Sequence, residues 1–224
     1  MKNPFGTIFS DTISSSITLT PGILTFIIEY NIIAWLLDRI QFKILAFTPL
    51  LLIPFIFIAI IFGIRLCLPK VKEGRFPMTL NKGFIAWGLN LSLGRSIRVF
   101  QLQDLFYSSY VLKFLYWRAM GAKIAFGVNS SMYVNLVDLQ LIEIGAGSML
   151  GDEVQVGCHL IQGNHIYLKK VVIGVNSFVG INSKLGPGTK IGDNCMIGPW
   201  NFLLRHKIKD NTELEAFTYF QKNS

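Results

Sequence analysis

The chain has 224 residues, of which 51% are hydrophobic and only 15% charged, with a formal net charge of +8. Soluble domains carry about 25% charged residues, so this balance excludes an ordinary soluble globule. The three cysteines, Cys67, Cys158 and Cys195, exclude a disulfide framework, show no zinc-ligand spacing and fit a reducing, cytoplasmic setting.

Residues 1–21 are polar and rich in Ser and Thr, and read as a short cytoplasmic or interfacial N-terminal lead. No basic stretch leads directly into an apolar core, so this is not a cleavable signal peptide. Residues 22–37, GILTFIIEYNIIAWLL, are apolar but contain Glu29 and Asn31. They read as a first span of a transmembrane hairpin over 22–64, closed through Asp38–Lys43, with an interface-lying segment as the alternative. Glu29 is costly against lipid: it faces the partner helix, meets an acceptor lipid, or marks an interfacial stretch. Residues 44–64 contain no charge in 21 positions. About 20 apolar residues span a hydrocarbon core, and membrane helices tolerate prolines such as Pro49 and Pro54.

The positive charge is localised. Residues 1–64 hold three Lys/Arg and three Asp/Glu, residues 124–224 hold eight of each, and residues 65–123 hold ten against two. Basic flanks of a span stay cytoplasmic and attract anionic head groups, which places the C-terminal domain in the cytoplasm. The same flanking position argues against nucleic acid as the partner. Residues 65–123 form this basic connector. It opens with the turn-rich PKVKEGRFP and continues into a stretch, 99–121, whose Leu102, Leu105, Phe106, Val111, Leu112, Leu115 and Trp117 approximate one wide helical face. An amphipathic helix lying on the leaflet is the expectation; a helix packed on the next domain is the alternative.

From 124 onward a six-residue period appears. Ile144-Gly145, Leu150-Gly151 and Val156-Gly157 are spaced by six, as are Ile173-Gly174, Val179-Gly180, Leu185-Gly186, Ile191-Gly192 and Ile197-Gly198. Each hexad is a short strand and a turn, and three hexads close a triangular coil. The aliphatic residue enters the prism axis, and stacked coils bury a core that no single coil can bury. The sequence thus predicts a left-handed parallel β-helix over 124–224, ending in a short C-terminal extension. The register breaks between Val156 and Ile173, which are 17 apart, so CHLIQGNHIYLKKVV is extruded or bulged. Loops that break out of a regular scaffold are where function tends to sit, and this one holds His159 and His165.

The hexads GAGSML, GDEVQV, GVNSFV, GINSKL and GPGTKI resemble the bacterial transferase hexapeptide family over roughly 120–217. That resemblance implies an acyl-CoA-dependent O- or N-acyltransferase that assembles as a homotrimer and holds its donor between neighbouring prisms. The order EGRFP, an apolar helical stretch, LYWRAMGAKI, DLQLIEIG, and a His followed 14 residues later by Ile-Gly is similar to the membrane-linked C-terminal module of nonribosomal-peptide-synthetase-like and polylysine-synthetase-like proteins. The chain departs from them after His159, where Leu160, Ile161, Gln162 and Gly163 replace residues that tend to be acidic.

Acyl transfer needs a base for the acceptor's proton, a task suited to a neutral imidazole. His159 is the first candidate and His165 the second, with Asp152 or Glu153 available to orient the ring. His206 reads as a solvated residue at the prism end. The resemblance implies that exposed polar residues on later coils meet coenzyme A, here Asn182, Lys184 and Lys190. No metal is expected. The reading is therefore an enzyme of the bacterial inner membrane, facing the cytoplasm. It moves an acetyl or other short acyl group from acyl-CoA to a membrane-associated acceptor, such as a glycolipid, a polysaccharide precursor or an amine. A non-catalytic trimeric scaffold of a membrane assembly is the alternative.

Overall fold

The computed structural model describes residues 4–41 and 43–218. Residues 1–3 of the lead, Phe42 in the hairpin turn and residues 219–224 of the C-terminal extension lie outside the described residues.

Helix α1 runs unbroken from Pro4 to Leu37, through Pro21, so much of the polar lead is continuous with the apolar run. After a turn, a 3-10 stretch over Lys43–Leu52 leads into α2, Ile53–Cys67, with proline in its first turn, where the missing N–H would be unpaired anyway. Asp11–Leu37 and Leu45–Cys67 are both long and apolar enough to cross a membrane. Along α1 the pattern is inverted relative to a soluble amphipathic helix. Thr18, Thr25 and Glu29 are buried, whereas Ile23, Leu24, Phe26, Ile27 and Ile28 are exposed. Thr18 and Thr25 satisfy themselves on the carbonyls of Ser14 and Pro21. Glu29 is turned inward, and neither of its carboxylate oxygens has a hydrogen-bond partner.

The connector holds a short strand, Gly74–Pro77, and three helices: α3 over Lys82–Val99, α4 over Gln103–Ser108 and α5 over Tyr110–Ala119. Asn81 caps α3, its Oδ1 accepting from Gly83 N and Phe84 N at 3.0 Å each. Replacing Asn81 by Ala should lower stability by about 1 kcal/mol, measurable as a shifted thermal midpoint in detergent. Helix α3 lies along α1, where Thr18 Oγ1 donates to Ser92 O at 2.9 Å. The stretch expected to lie on the leaflet is instead two helices, and the second is packed inside the protein. Leu112, Tyr116 and Trp117 of α5 are buried, and Phe106 makes edge contacts with both Phe57 of α2 and Tyr116, each at 5.8 Å. The first coil of the β domain and α2 pack on α5, whereas Leu105 and Val111 of the same apolar face stay exposed.

The C-terminal domain is a prism of three parallel sheets with five, five and four strands, the left-handed β-helix that the hexads predict. The register stacks Ile144, Ile173, Ile191 and Ile208 on one face. Leu150, Val179, Ile197 and Leu214 stack on the second, and Val156, Leu185 and Leu203 on the third. One further coil precedes these, with Ile124, Ser130 and Leu136 paired to Ile144, Leu150 and Val156. The aliphatic-glycine pattern does not show it, because Ala125, Ser131 and Val137 stand where glycine stands later. Buried hydroxyls satisfy the corners: Ser148 Oγ donates to Gly174 O at 2.7 Å, and Ser177 Oγ to Gly192 O at 2.8 Å.

The break in register is a β-hairpin. His159–Gln162 and His165–Leu168 pair antiparallel, with Gly163 at φ +58° in the turn. Gly74–Pro77 from the connector adds a third strand, pairing Gly74 with Leu168 and Pro77 with His165. Pro77 sits on the outer edge, where its missing N–H costs no ladder bond. The connector is thereby tied to the extruded loop.

Candidate active site

Three corners run along the prism, and one of them joins the third sheet back to the first. In the first coil that corner begins at Asp138, directly after Asn135–Val137. In the next coil it begins at Cys158, directly after Gln155–Gly157, and Val137 pairs with Gly157. The stacking therefore sets Asp138 against Cys158 and His159 although 21 residues separate Asp138 from His159. Asp138 has φ +63°, a left-handed conformation that Asp tolerates better than most residues.

The Asp138 carboxylate collects three donors. Oδ2 lies 2.6 Å from His159 Nδ1 and 3.1 Å from Cys158 N, and Oδ1 accepts from Trp87 Nε1 at 2.8 Å. Its side chain is only 2% exposed, against 28% for His159. With a carboxylate as partner, Nδ1 carries the proton, and Nε2 keeps its lone pair. The hydrogen bond to Asp138 raises the His159 pKa above the ordinary imidazole value, opposed by partial burial and by the charge of Arg95. Trp87 also holds the ring from the side, its centroid 5.2 Å from that of the imidazole.

His159 lines a cleft of about 330 Å³ between α3 and the first coil. Its walls include Trp87, Arg95, Arg98, Tyr107, Leu136 and Ile161. The arrangement can accept a proton from a hydroxyl or amine at Nε2 and hold the resulting imidazolium against a buried carboxylate, which is the task of a general base.

The other candidate residues stand elsewhere. His165 is at the far end of the hairpin, opposite Gln162, with Nδ1 3.4 Å from Arg75 Nη2. Asp152 and Glu153 belong to a different corner, where Asp152 accepts from Ser131 Oγ. The carboxylate that orients His159 therefore comes from the coil before it and not from these two. Lys184 pairs beside Gln155 and Phe202 on the third sheet, whereas Lys190 pairs beside Val172 and Lys207 on the first. Asn182 occupies the turn before Lys184 at φ +57°. None of these three lines the cleft. His206 Nδ1 accepts from Leu204 N at 3.1 Å near the end of the prism. Among the described residues, no group of three or more His, Cys, Asp or Glu is placed to hold a metal ion.

Sequence reasoning missed Asp138, Trp87 and Arg95. Asp138 opens the DLQLIEIG stretch, and extending the six-residue count upstream through Leu136, Ser130 and Ile124 would have stacked it under Cys158.

Residues 170–205 match the bacterial transferase hexapeptide family (six repeats). The matched residues lie within the prism. No curated protein matches the chain. Among solved structures, the chain is similar to a maltose O-acetyltransferase from Clostridium difficile 630, at 20% identity and a TM-score of 0.42, over 53% of this chain and 80% of that one. It is also similar to serine acetyltransferase isoform 3 from Entamoeba histolytica, at 14% identity and a TM-score of 0.27, over 91% of this chain and 79% of that one. With TM-scores below 0.5, neither likeness bears on what this chain does.

Proposed function

We propose that the chain is a membrane-anchored acyltransferase that moves an acetyl or other short acyl group from coenzyme A to a membrane-associated acceptor. The carrying observation is the His159 imidazole, fixed by the buried Asp138 carboxylate on the wall of a cleft. His159 Nε2 takes the proton of the acceptor hydroxyl or amine as its oxygen or nitrogen forms a bond to the thioester carbonyl carbon. Collapse of the tetrahedral intermediate breaks the carbon–sulfur bond. The leaving thiolate takes the proton back from the imidazolium, leaving acylated acceptor and coenzyme A. The match of residues 170–205 to transferase repeats supports this reaction class.

Anchoring is supported by the two apolar helical stretches and by the apolar outer face of α1. The basic connector favours the cytoplasmic leaflet of a bacterial inner membrane. Lys184 and Lys190, with Asn182, are the proposed contacts to the donor. They stand on different sheets, so a donor lying between two prisms would meet Lys184 of one and Lys190 of the next. A homotrimer supplies such grooves, and the exposed Met149, Met196, Trp200 and Phe202 offer apolar surface for a second copy.

The test uses purified full-length protein in detergent with acetyl-coenzyme A and a membrane extract as acceptor. His159→Ala should keep acetyl-coenzyme A binding by calorimetry and lose transfer of labelled acetyl by about 10²–10⁴-fold. His165→Ala, at the far end of the hairpin, should stay within a few-fold of wild type. Folded protein that binds neither coenzyme A nor acetyl-coenzyme A would overturn the enzyme reading and leave the trimeric scaffold.

A further inference from the structure

The wall of the cleft facing the prism is α3, and it carries Arg95 and Arg98 one helical turn apart. Neither guanidinium has an acidic partner: the ion pairs found among the described residues are Lys123–Glu143, Lys170–Glu143 and His159–Asp138. Arg98 is held instead by neutral acceptors. Its Nε donates to Gln103 Oε1 at 2.9 Å, and its Nη2 donates to Asn135 Oδ1. Such contacts fix the direction of the guanidinium without cancelling its charge. Among the described residues, Asp138 is the one carboxylate lining the cleft, and its hydrogen bonds go to Trp87, Cys158 and His159. With His159 neutral, the cleft therefore holds two guanidinium charges against the single carboxylate charge of Asp138, and stays net positive beside the base. Its remaining walls are largely apolar, including Leu91, Leu136 and Ile161. The opposite side of α3 packs on α1 through Ser92, so one helix separates the cleft from the candidate membrane helices.

We propose that the acceptor is an anionic amphiphile whose phosphate is held by Arg95 and Arg98 while its hydroxyl or amine lies against His159. Guanidinium forks match phosphate oxygens in pairs, and the apolar walls accept the part of the lipid next to its head group. This rests on the reading of His159 as the base, but the binding site does not require that residue to titrate. Coenzyme A also carries phosphates, so the two sources must be separated.

The experiment measures binding of dihexanoyl phosphatidic acid and dihexanoyl phosphatidylcholine, both short enough to be monomeric, to the detergent-solubilised full chain. Acetyl-coenzyme A binding is measured in parallel. Wild type should bind phosphatidic acid at least about tenfold more tightly than phosphatidylcholine, and the Arg95→Gln/Arg98→Gln variant should lose that preference while its acetyl-coenzyme A affinity is unchanged. His159→Ala should keep the preference, which separates a failure of the anion site from a failure of the base. Equal affinity for the two lipids in wild type, or an unchanged preference in the double variant, would overturn the proposal. So would a parallel loss of acetyl-coenzyme A binding, which would assign the two arginines to the donor.

Discussion

Asp138→Asn should lower the rate of acyl transfer by at least about tenfold, and by as much as the 10²–10⁴-fold that a positioned base contributes. The substitution isolates the hydrogen bonds. Asn tolerates the left-handed backbone at φ +63° as readily as Asp, so the corner keeps its path. The carboxylate accepts at both oxygens, from His159 and Cys158 at Oδ2 and from Trp87 at Oδ1. An amide has only one oxygen. With its NH₂ toward His159, it donates to Nδ1 and moves the ring proton to Nε2, which removes the base. With its NH₂ toward Trp87, it sets two donors against each other and releases the indole that flanks the ring.

The pH dependence follows from the same contact. Asp138 raises the His159 pKa above 6.5, so the acid limb of the wild-type kcat/KM profile should lie above that value. In Asp138→Asn the limb should move to lower pH while the plateau falls. A merely structural role for Asp138 would lower the plateau and leave the limb in place. Stability carries the matching sign. A histidine whose folded pKa is raised contributes stability fully below its unfolded value and loses it as pH rises through the folded value. The difference in thermal midpoint between wild type and variant should therefore be largest below pH 6.5 and shrink as pH rises through the raised folded value.

The second large effect separates two glycines that look alike in the hexads. A Cβ on Gly174 would lie 2.4 Å from Gly192 O of the next coil, a backbone atom that cannot move without unstacking the prism. Gly174→Val should cost on the order of 3 kcal/mol or more, lowering the thermal midpoint by about 6–12 °C in a chain of this size. Gly157 follows Val156 as Gly174 follows Ile173, yet a Cβ there meets nothing within 4 Å, because the chain leaves the prism at this point. Gly157→Ala should fall within about 1 kcal/mol of wild type. Equal losses for both variants, by circular dichroism melting, would show that the hairpin is not extruded where the structure has it.

These two cases mark what was legible in the amino-acid order. Periodicity is local, so hexads from Ile144 to Gly198 could be counted without knowing what they touch, and with them came the parallel β-helix. The interruption at residues 158–172 was equally plain, and with it the extruded segment that carries His159. Charge-free length alone marked 44–64 as able to span a membrane, since hydrophobic thickness maps directly onto residue count.

Tertiary structure alone decided what each residue faces. Asp138 and His159 lie 21 positions apart and meet only because two coils stack a corner on a corner, and the aliphatic-glycine pattern does not reach the coil that holds Asp138. Trp87, Arg95 and Arg98 belong to a helix whose sequence shows no site; they become cleft walls because α3 packs against the first coil. Likewise α5 has an apolar face that suits a lipid surface as well as a protein one, and only the presence of α2 and the first coil decides between them. A repeat fixes its own period through backbone geometry, whereas a site depends on contacts between segments whose relative placement is set by packing.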